Sequence, residues 1–270
     1  MFEALSYEFV QNALMAGLLV SIASGIIGSL IVVNRMVFLA GGIAHTAYGG
    51  IGVAVFFGLP MFLGASIFAV LSALIIASIT LKERERMDTF IGLMWAVGMA
   101  LGVVLIDLTP GYQADFMSYL FGSILAVSSS DLWFMGILLA IILFIMTFWY
   151  RDILAVSYDS EHANLRGINV PFFYTLILVL SALTVVVAIK VVGLILVIAL
   201  LTIPVYIAEK LSNTLYVMMI LSGIFSSIFT LIGLWFSYEY EIASGASIIL
   251  VSAVTLFLFL GVSRIFGRAN

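Results

Sequence analysis

The sequence predicts an all-α polytopic membrane protein, and its composition, its long apolar runs and the placement of its basic residues each indicate this class. Of 270 residues, 64% are hydrophobic and only 9% are charged, whereas soluble domains contain about 45–50% apolar and about 25% charged residues. A helix needs roughly 20 apolar residues to cross about 30 Å of hydrocarbon. Most of the chain is therefore expected to lie within a bilayer.

Nine apolar runs are the candidate membrane spans. They cover residues 9–33, 37–57, 61–81, 89–106, 132–150, 172–189, 191–207, 214–236 and 242–265. The run 112–127 has only about 16 residues, which is short for a crossing, so it is predicted to form a re-entrant or interfacial helix. The first eight residues contain two acids and no base, unlike a cleaved signal peptide, so the first run is predicted to be a retained span.

The basic residues predict the orientation, because lysine and arginine near short loops are kept on the cytoplasmic side. Placing the run Lys-Glu-Arg-Glu-Arg at 82–86 inside leaves Lys190 as the only one of ten basic residues outside. Nine spans with the N-terminus outside and the C-terminus cytoplasmic fit this pattern. A crossing by 112–127 would invert everything after it. No linker or low-complexity tract divides the chain, so residues 1–270 are predicted to form one transmembrane domain.

The predicted outer surface is acidic. It carries Glu3, Glu8, Asp107, Asp115, Asp131, Glu239 and Glu241. Such a field would concentrate cations near the mouth of a pathway. Equally, external acids are what remains once basic residues are confined to the inside.

Several kinds of chemistry are excluded by residue types. The chain has no cysteine, which removes disulfides, thiolate metal sites and iron–sulfur clusters. None of its lysines precedes serine or threonine, so it has no phosphate-binding loop of the Gly-x-x-x-x-Gly-Lys-Ser/Thr type and is not predicted to be an ATPase. Any metal ligand must be an imidazole, a carboxylate or a backbone oxygen.

The second span contains a histidine surrounded by small residues. In an α-helix, His45 shares its face with Gly41, Gly42, Tyr48, Gly49 and Gly52, which predicts a groove almost bare of side chains. One interpretation is structural: small residues let helices approach closely, and the histidine hydrogen-bonds a neighbour. The other is functional: an ionisable group within a span faces a pathway, and neutral imidazole binds zinc and related ions.

Two further features are candidates for function. Pro204 interrupts the seventh run, where it either kinks a gating helix or is an ordinary transmembrane proline. In the insert 151–167, Asp159 or Ser160 can cap a short surface helix that Gly167 ends. Such a helix either transmits the motion of a partner or only connects two spans, and His162 within it is predicted to be solvated or docking rather than a metal ligand.

Four stretches, taken in order, resemble the ABC-3 family of metal permeases, the membrane subunits of bacterial and archaeal zinc and manganese ABC importers. Residues 37–52 are similar to the family's histidine-bearing second helix, and 118–128 with Asp131 to its outer helix and next span. Residues 158–168 resemble the loop that docks on the ATPase, and 191–204 the glycine-to-proline span. The resemblance covers nearly the whole chain.

This resemblance implies a permease in the bacterial or archaeal inner membrane that is not itself an enzyme. Implied partners are a second permease in a homodimer or pseudo-dimer, cytoplasmic ATP-binding subunits, an extracytoplasmic metal-binding protein and membrane lipid, with no nucleic acid. Zinc or manganese would be cargo rather than a permanently bound cofactor. The implied path residues are Gly41, Gly42, Tyr48, Gly49 and Pro204, and the implied coupling residues are Asp159, Ser160, Glu161, His162, Ala163, Leu165 and Gly167.

One departure from the family pattern affects the metal site. Many members have an aspartate four residues before the histidine, where this chain has Gly41. The missing oxygen ligand would then come from another acid such as Asp107, or His45 would act alone or with its symmetry mate. The alternative functions are a metal-chelate permease of the cobalamin or siderophore type and a secondary transporter. An intramembrane protease is disfavoured, since the chain lacks His-Glu-x-x-His and a complete nucleophile elbow.

Overall fold

The computed structural model describes residues 7–81, 86–109 and 122–265, which fold almost entirely into α-helices. The helices are α1 (Glu8–Val33), α2 (Val37–Phe56), α3 (Met61–Thr80), α4 (Met87–Asp107), α5 (Ser129–Tyr158), α6 (Ser160–Leu165), α7 (Val170–Val192), α8 (Val197–Leu211), α9 (Leu215–Tyr240) and α10 (Ser244–Ile265). A single 3₁₀ turn, Ile124–Ala126, precedes α5. The all-α prediction is confirmed.

Within the described residues, eight helices are long and apolar enough to cross a membrane. The two that are not are α6, with six residues, and α8, with 15. At 1.5 Å per residue α8 is about 22 Å long, which is shorter than the hydrocarbon core. The predicted count of nine full-length spans is therefore not confirmed, although a polytopic helical membrane protein is.

The difference between nine predicted spans and eight long helices arises in the predicted seventh span, 191–207. Val191 and Val192 are the last residues of α7, and Gly193 follows with a φ of +87°, a left-handed value that glycine adopts without a steric penalty. The chain then turns before α8 begins at Val197. Leu194 in this turn is only 2% exposed whereas Ile195 is 52% exposed, so protein covers the turn on one side only.

Polar contacts define the two ends of the bundle. Ser129 Oγ donates to Glu8 Oε1 at 3.5 Å, and Lys190 Nζ lies 3.0 Å from Asp131 Oδ2, so α1 and α5 begin where α7 finishes. We name this the Lys190 end. Opposite it, Asn34 Nδ2 donates to Ser157 Oγ at 3.0 Å, which brings together the last residues of α1 and α5. We name this the Arg35 end.

Helix α1 lies at the centre and packs against α5, α7, α8 and α9. It runs antiparallel to α9: Ser21 and Thr230 hydroxyls hydrogen-bond at 2.9 Å, and Gly25 abuts the backbone of Gly223. Helix α2 packs on α3, α4, α7 and α8. The small residues of α1 and α2 thus permit close helix contacts, as is usual in membrane bundles.

The predicted re-entrant or interfacial helix, 112–127, lies outside the described residues except for its last part. Ser123 N–H donates to the Lys190 carbonyl at 3.3 Å, and Gly122 abuts the backbone at Gly193, which places both at the Lys190 end. Helix α4 runs parallel to α2, so Thr109, after the last turn of α4, is at this end too. The chain therefore leaves and re-enters the described part at the same end.

Candidate functional site

His45 lies in the middle of α2 and is half-buried against α4. Its imidazole stacks on the indole of Trp95, with ring centroids 4.1 Å apart and planes inclined by 13°. The Nδ1 atom is buried and has no hydrogen-bond partner among the described residues. A buried nitrogen without a partner is costly unless a ligand satisfies it, which makes Nδ1 the candidate ligand atom of this site.

The glycines beside His45 are covered by neighbouring helices. A Cβ on Gly49 would lie 2.7 Å from the Gly98 carbonyl oxygen, and one on Gly52 equally close to Gly102 of α4. Gly41 faces Ile198 of α8 and the Trp95 ring. The groove expected from the helical wheel is therefore filled by α4 and α8, because glycines on α2 meet glycines on α4.

Two further residues of α2 tie it to α4. Thr46 Oγ1 donates to the Gly42 carbonyl in its own helix at 2.8 Å and lies 3.1 Å from the Met94 carbonyl. The ring of Tyr48, only 1% exposed, packs over Gly102. These contacts hold the backbone on both sides of His45 against α4.

Asp107, the predicted alternative oxygen ligand, is not near His45. It is the last residue of α4, exposed at the Lys190 end, twelve positions after Trp95. At 1.5 Å per residue, Asp107 lies about 18 Å further along α4 than Trp95, the residue that stacks on His45. Ligands of one ion lie about 2.0–2.6 Å from it. The two residues therefore cannot bind the same ion within one chain, and the described residues contain no cluster of three potential His, Cys, Asp or Glu ligands.

Pro204 is buried in α8 and lies between Leu201 and Val205. Both neighbours contact Gly28 of α1: a Cβ there would lie 2.5 Å from the Leu201 oxygen and 3.0 Å from Val205 Cγ2. The α8 residue that faces the His45 helix is instead Ile198. The α8 residues on either side of Pro204 thus pack on α1, whereas the α8 residue that meets the His45 helix lies six positions before it.

The predicted surface helix is present as α6. Asp159 Oδ1 accepts the His162 N–H at 2.9 Å, which makes Asp159 the N-cap, and Ser160 opens the helix with Glu161 in its first turn. Gly167, with φ +78°, ends it. Ala163 is fully buried while Leu165 is 86% exposed, so α6 is fixed to the bundle on one side and presents an unpartnered apolar residue on the other.

Sequence reasoning missed Trp95 and Ile198, which contact the helix that carries His45. Trp95 could have been noticed in the sequence. Tryptophan in membrane proteins concentrates at the two interfaces, so a tryptophan near the middle of a span, as Trp95 is in α4, is unusual. No sequence signal distinguishes Ile198 from the other apolar residues of its run.

Comparison with known proteins gives consistent results. Residues 6–263 match the ABC 3 transport family. The chain is 46% identical over 264 residues to an uncharacterized membrane protein of Synechocystis sp., covering 98% of this chain and 94% of that one. It is 39% identical over 256 residues to the manganese transport system membrane protein MntC of Halalkalibacterium halodurans, covering 94% and 87%.

A solved structure also matches. PsaBC from Streptococcus pneumoniae, determined in complex with Fab, is similar with a TM-score of 0.85 and 32% sequence identity. The match covers 96% of this chain and 93% of that chain. The order and packing of the helices described above are therefore shared with an independently solved protein.

Proposed function

The chain belongs to the ABC 3 transport family, and from this premise we propose that residues 1–270 form one permease domain of an ATP-driven importer of divalent metal ions, with manganese as the cargo. The observation that carries the proposal is the near full-length similarity to permeases named for manganese transport. The sequence lacks a phosphate-binding loop of its own, so ATP would be hydrolysed by separate subunits.

We place the Arg35 end in the cytoplasm. Every described basic residue except Lys190 lies toward that end, namely Arg35, Arg86, Arg151, Arg166, Lys210 and Arg264. The N-terminus is then outside and the C-terminus inside. The short α8 and the turn before it would complete a ninth crossing, because α7 finishes at the Lys190 end and α9 begins at the Arg35 end.

His45 is the proposed ion contact on the path, with Gly41, Gly42, Tyr48 and Gly49 beside it. Support comes from its mid-span position and the buried Nδ1 without a partner. Because Asp107 is too distant, further ligands would be water, backbone oxygen or the corresponding residue of a second permease copy in a homodimer. Pro204 would contribute through the position of α8 rather than by contact with the ion.

Helix α6 is the proposed coupling element. Its cap, its buried Ala163 and its exposed Leu165 suit a rigid knob that fits a cavity on a cytoplasmic ATP-binding subunit. The acidic Lys190 end would receive the ion from an extracytoplasmic metal-binding protein. Glu8, Asp107, Glu239 and Glu241 are exposed there and would attract cations.

The test is ATP-dependent uptake of Mn²⁺ and Zn²⁺ by proteoliposomes that contain the chain, its ATPase and its binding protein. His45→Ala should abolish uptake while assembly of the subunits persists. Ser66→Ala is the matched control, since the Ser66 hydroxyl donates to the Phe62 carbonyl within α3. Uptake that survives His45→Ala would remove His45 from the path, and uptake of neither metal by the wild type would refute the importer itself.

A further inference from the structure

An apolar groove runs along the outside of the bundle between α1, α5 and α9. Its volume is about 850 Å³, and its walls include Ile22, Leu143, Met146, Ile220, Ile224 and Leu231. Along α9 it extends from Tyr216 to Leu231, about 22 Å at 1.5 Å per residue, which exceeds the roughly 15 Å depth of one leaflet's hydrocarbon.

A second cavity, of about 790 Å³ and lined by charged as well as apolar side chains, adjoins this groove at the Arg35 end. Tyr150 lines both spaces, and Thr214 and Leu215 of the cavity precede Tyr216 of the groove. The cavity walls also carry Arg151, Arg166 and His162. The molecule thus presents one continuous surface that is apolar at membrane depth and carries two arginines and two aspartates at the level where a bilayer has its headgroups.

The two arginines in this cavity, Arg151 and Arg166, form no ion pairs with other described residues. Two carboxylates also line the cavity, Asp152 and Asp159, and the latter accepts the backbone N–H of His162. Two guanidiniums that lack partners beside an apolar groove indicate a ligand with an anionic oxygen group and a hydrocarbon tail.

We propose that this surface binds a glycerophospholipid of the cytoplasmic leaflet, with its phosphodiester between Arg151 and Arg166 and an acyl chain in the groove. Arginines at the cytoplasmic ends of transmembrane helices are suited to contact the anionic headgroups of lipids. The site is separate from the ion path, because α2 with His45 packs on α3, α4, α7 and α8 whereas the groove lies on α1, α5 and α9. A bound lipid would fill the space between α5 and α9 just above α6.

Gly223 provides a sharp test of the acyl-chain position. It lines the groove, and a Cβ added to it would meet nothing closer than Ile22 Cα at 3.8 Å. The Cβ of Gly223→Phe therefore requires no backbone shift, and the variant should direct its ring into the groove. The matched control is Gly261→Phe in α10, where a Cβ also meets nothing within 4 Å and which is outside the groove.

The measurement is native mass spectrometry of the full-length chain titrated with phosphatidylglycerol. Wild type and Gly261→Phe should retain one tightly bound phospholipid. Gly223→Phe and the double variant Arg151→Gln/Arg166→Gln should each bind it about tenfold more weakly, as loss of charge-assisted contacts or of the groove implies.

Each other outcome overturns the proposal. Equal lipid binding by all four proteins would show that the surface is not a lipid site. Loss of lipid in the arginine variant alone would show that the arginines hold the headgroup while the acyl chain lies outside the groove, which contradicts the proposed position of the chain. If Gly223→Phe instead dissociates a dimer, the groove holds a second copy of the chain, and if the arginine variant loses only ATPase binding, the cavity belongs to that subunit.

Discussion

Gly98→Ala is expected to push α2 and α4 apart beside His45. A Cβ at this position would lie 2.5 Å from Thr46 Cα and 3.0 Å from the His45 carbonyl oxygen, whereas ordinary contacts begin at 3.4 Å. The helices must therefore separate by nearly 1 Å, and both contacting atoms are backbone, which cannot rotate away. Overpacking of this kind costs about 1–3 kcal/mol, partly offset by about 0.5–1 kcal/mol from replacing a helical glycine.

Gly92→Ala is the matched control, because Gly92 lies in the same helix and a Cβ there would meet nothing within 4 Å. Gly92→Ala gains only the stabilisation from replacing a helical glycine, without overpacking. The free energies of unfolding of the two variants should therefore differ by about 1–3 kcal/mol, which corresponds to at least roughly 2 °C in Tm. Thermal unfolding in detergent, followed by tryptophan fluorescence, measures this difference. Metal uptake should fall only in Gly98→Ala. Equal Tm values and equal uptake for both variants would refute the close α2–α4 contact and its role in positioning His45.

Three further predictions concern the ends of the bundle. Asp131→Asn should lower Tm, because it leaves the mostly buried Lys190 without its ion-pair partner. Adding Lys190→Met to this variant should recover part of the loss. A coupling energy between the two substitutions below roughly 0.5 kcal/mol would contradict this. Asp159→Ala should cost α6 about 1 kcal/mol and accelerate amide exchange over 160–165, whereas Asp159→Asn should preserve the cap. Leu165→Ala should leave Tm unchanged and weaken co-purification of the ATPase, unlike Leu211→Ala, which is also exposed at the Arg35 end; equal effects would argue against docking through α6.

The parts of the fold that local chemistry determines were predictable from the sequence. Asp159 sets the start of α6, because its carboxylate accepts an amide hydrogen there, and Gly167 sets the end, because glycine adopts a positive φ. Long apolar runs likewise predicted the spans, since the bilayer sets the length of a helix independently of its neighbours. These signals require no knowledge of tertiary packing.

The break before α8 and the cover over His45 were not predictable, because both depend on contacts between distant segments. Gly193 is a single glycine in an otherwise uniform apolar run, and the backbone at Gly122 that lies against it is remote in sequence. A helical wheel likewise shows that Gly49 shares a face with His45, but it cannot show that Gly98 of α4 fills that face.

The isolation of His45 from carboxylates is itself informative about mechanism. The described acids lie at or near helix ends or in the segments between helices, whereas His45 is at the centre of α2. An ion at the level of His45 would be coordinated by one imidazole, by backbone oxygens and by the waters that it retains, a donor set weaker than a cage of carboxylates. Weak contact is what a conducting path requires, because an ion that binds too tightly does not leave. If His45 is the ion contact, selectivity is then better placed upstream, in the protein that delivers the ion, and the stack on Trp95 would keep the imidazole in a single orientation.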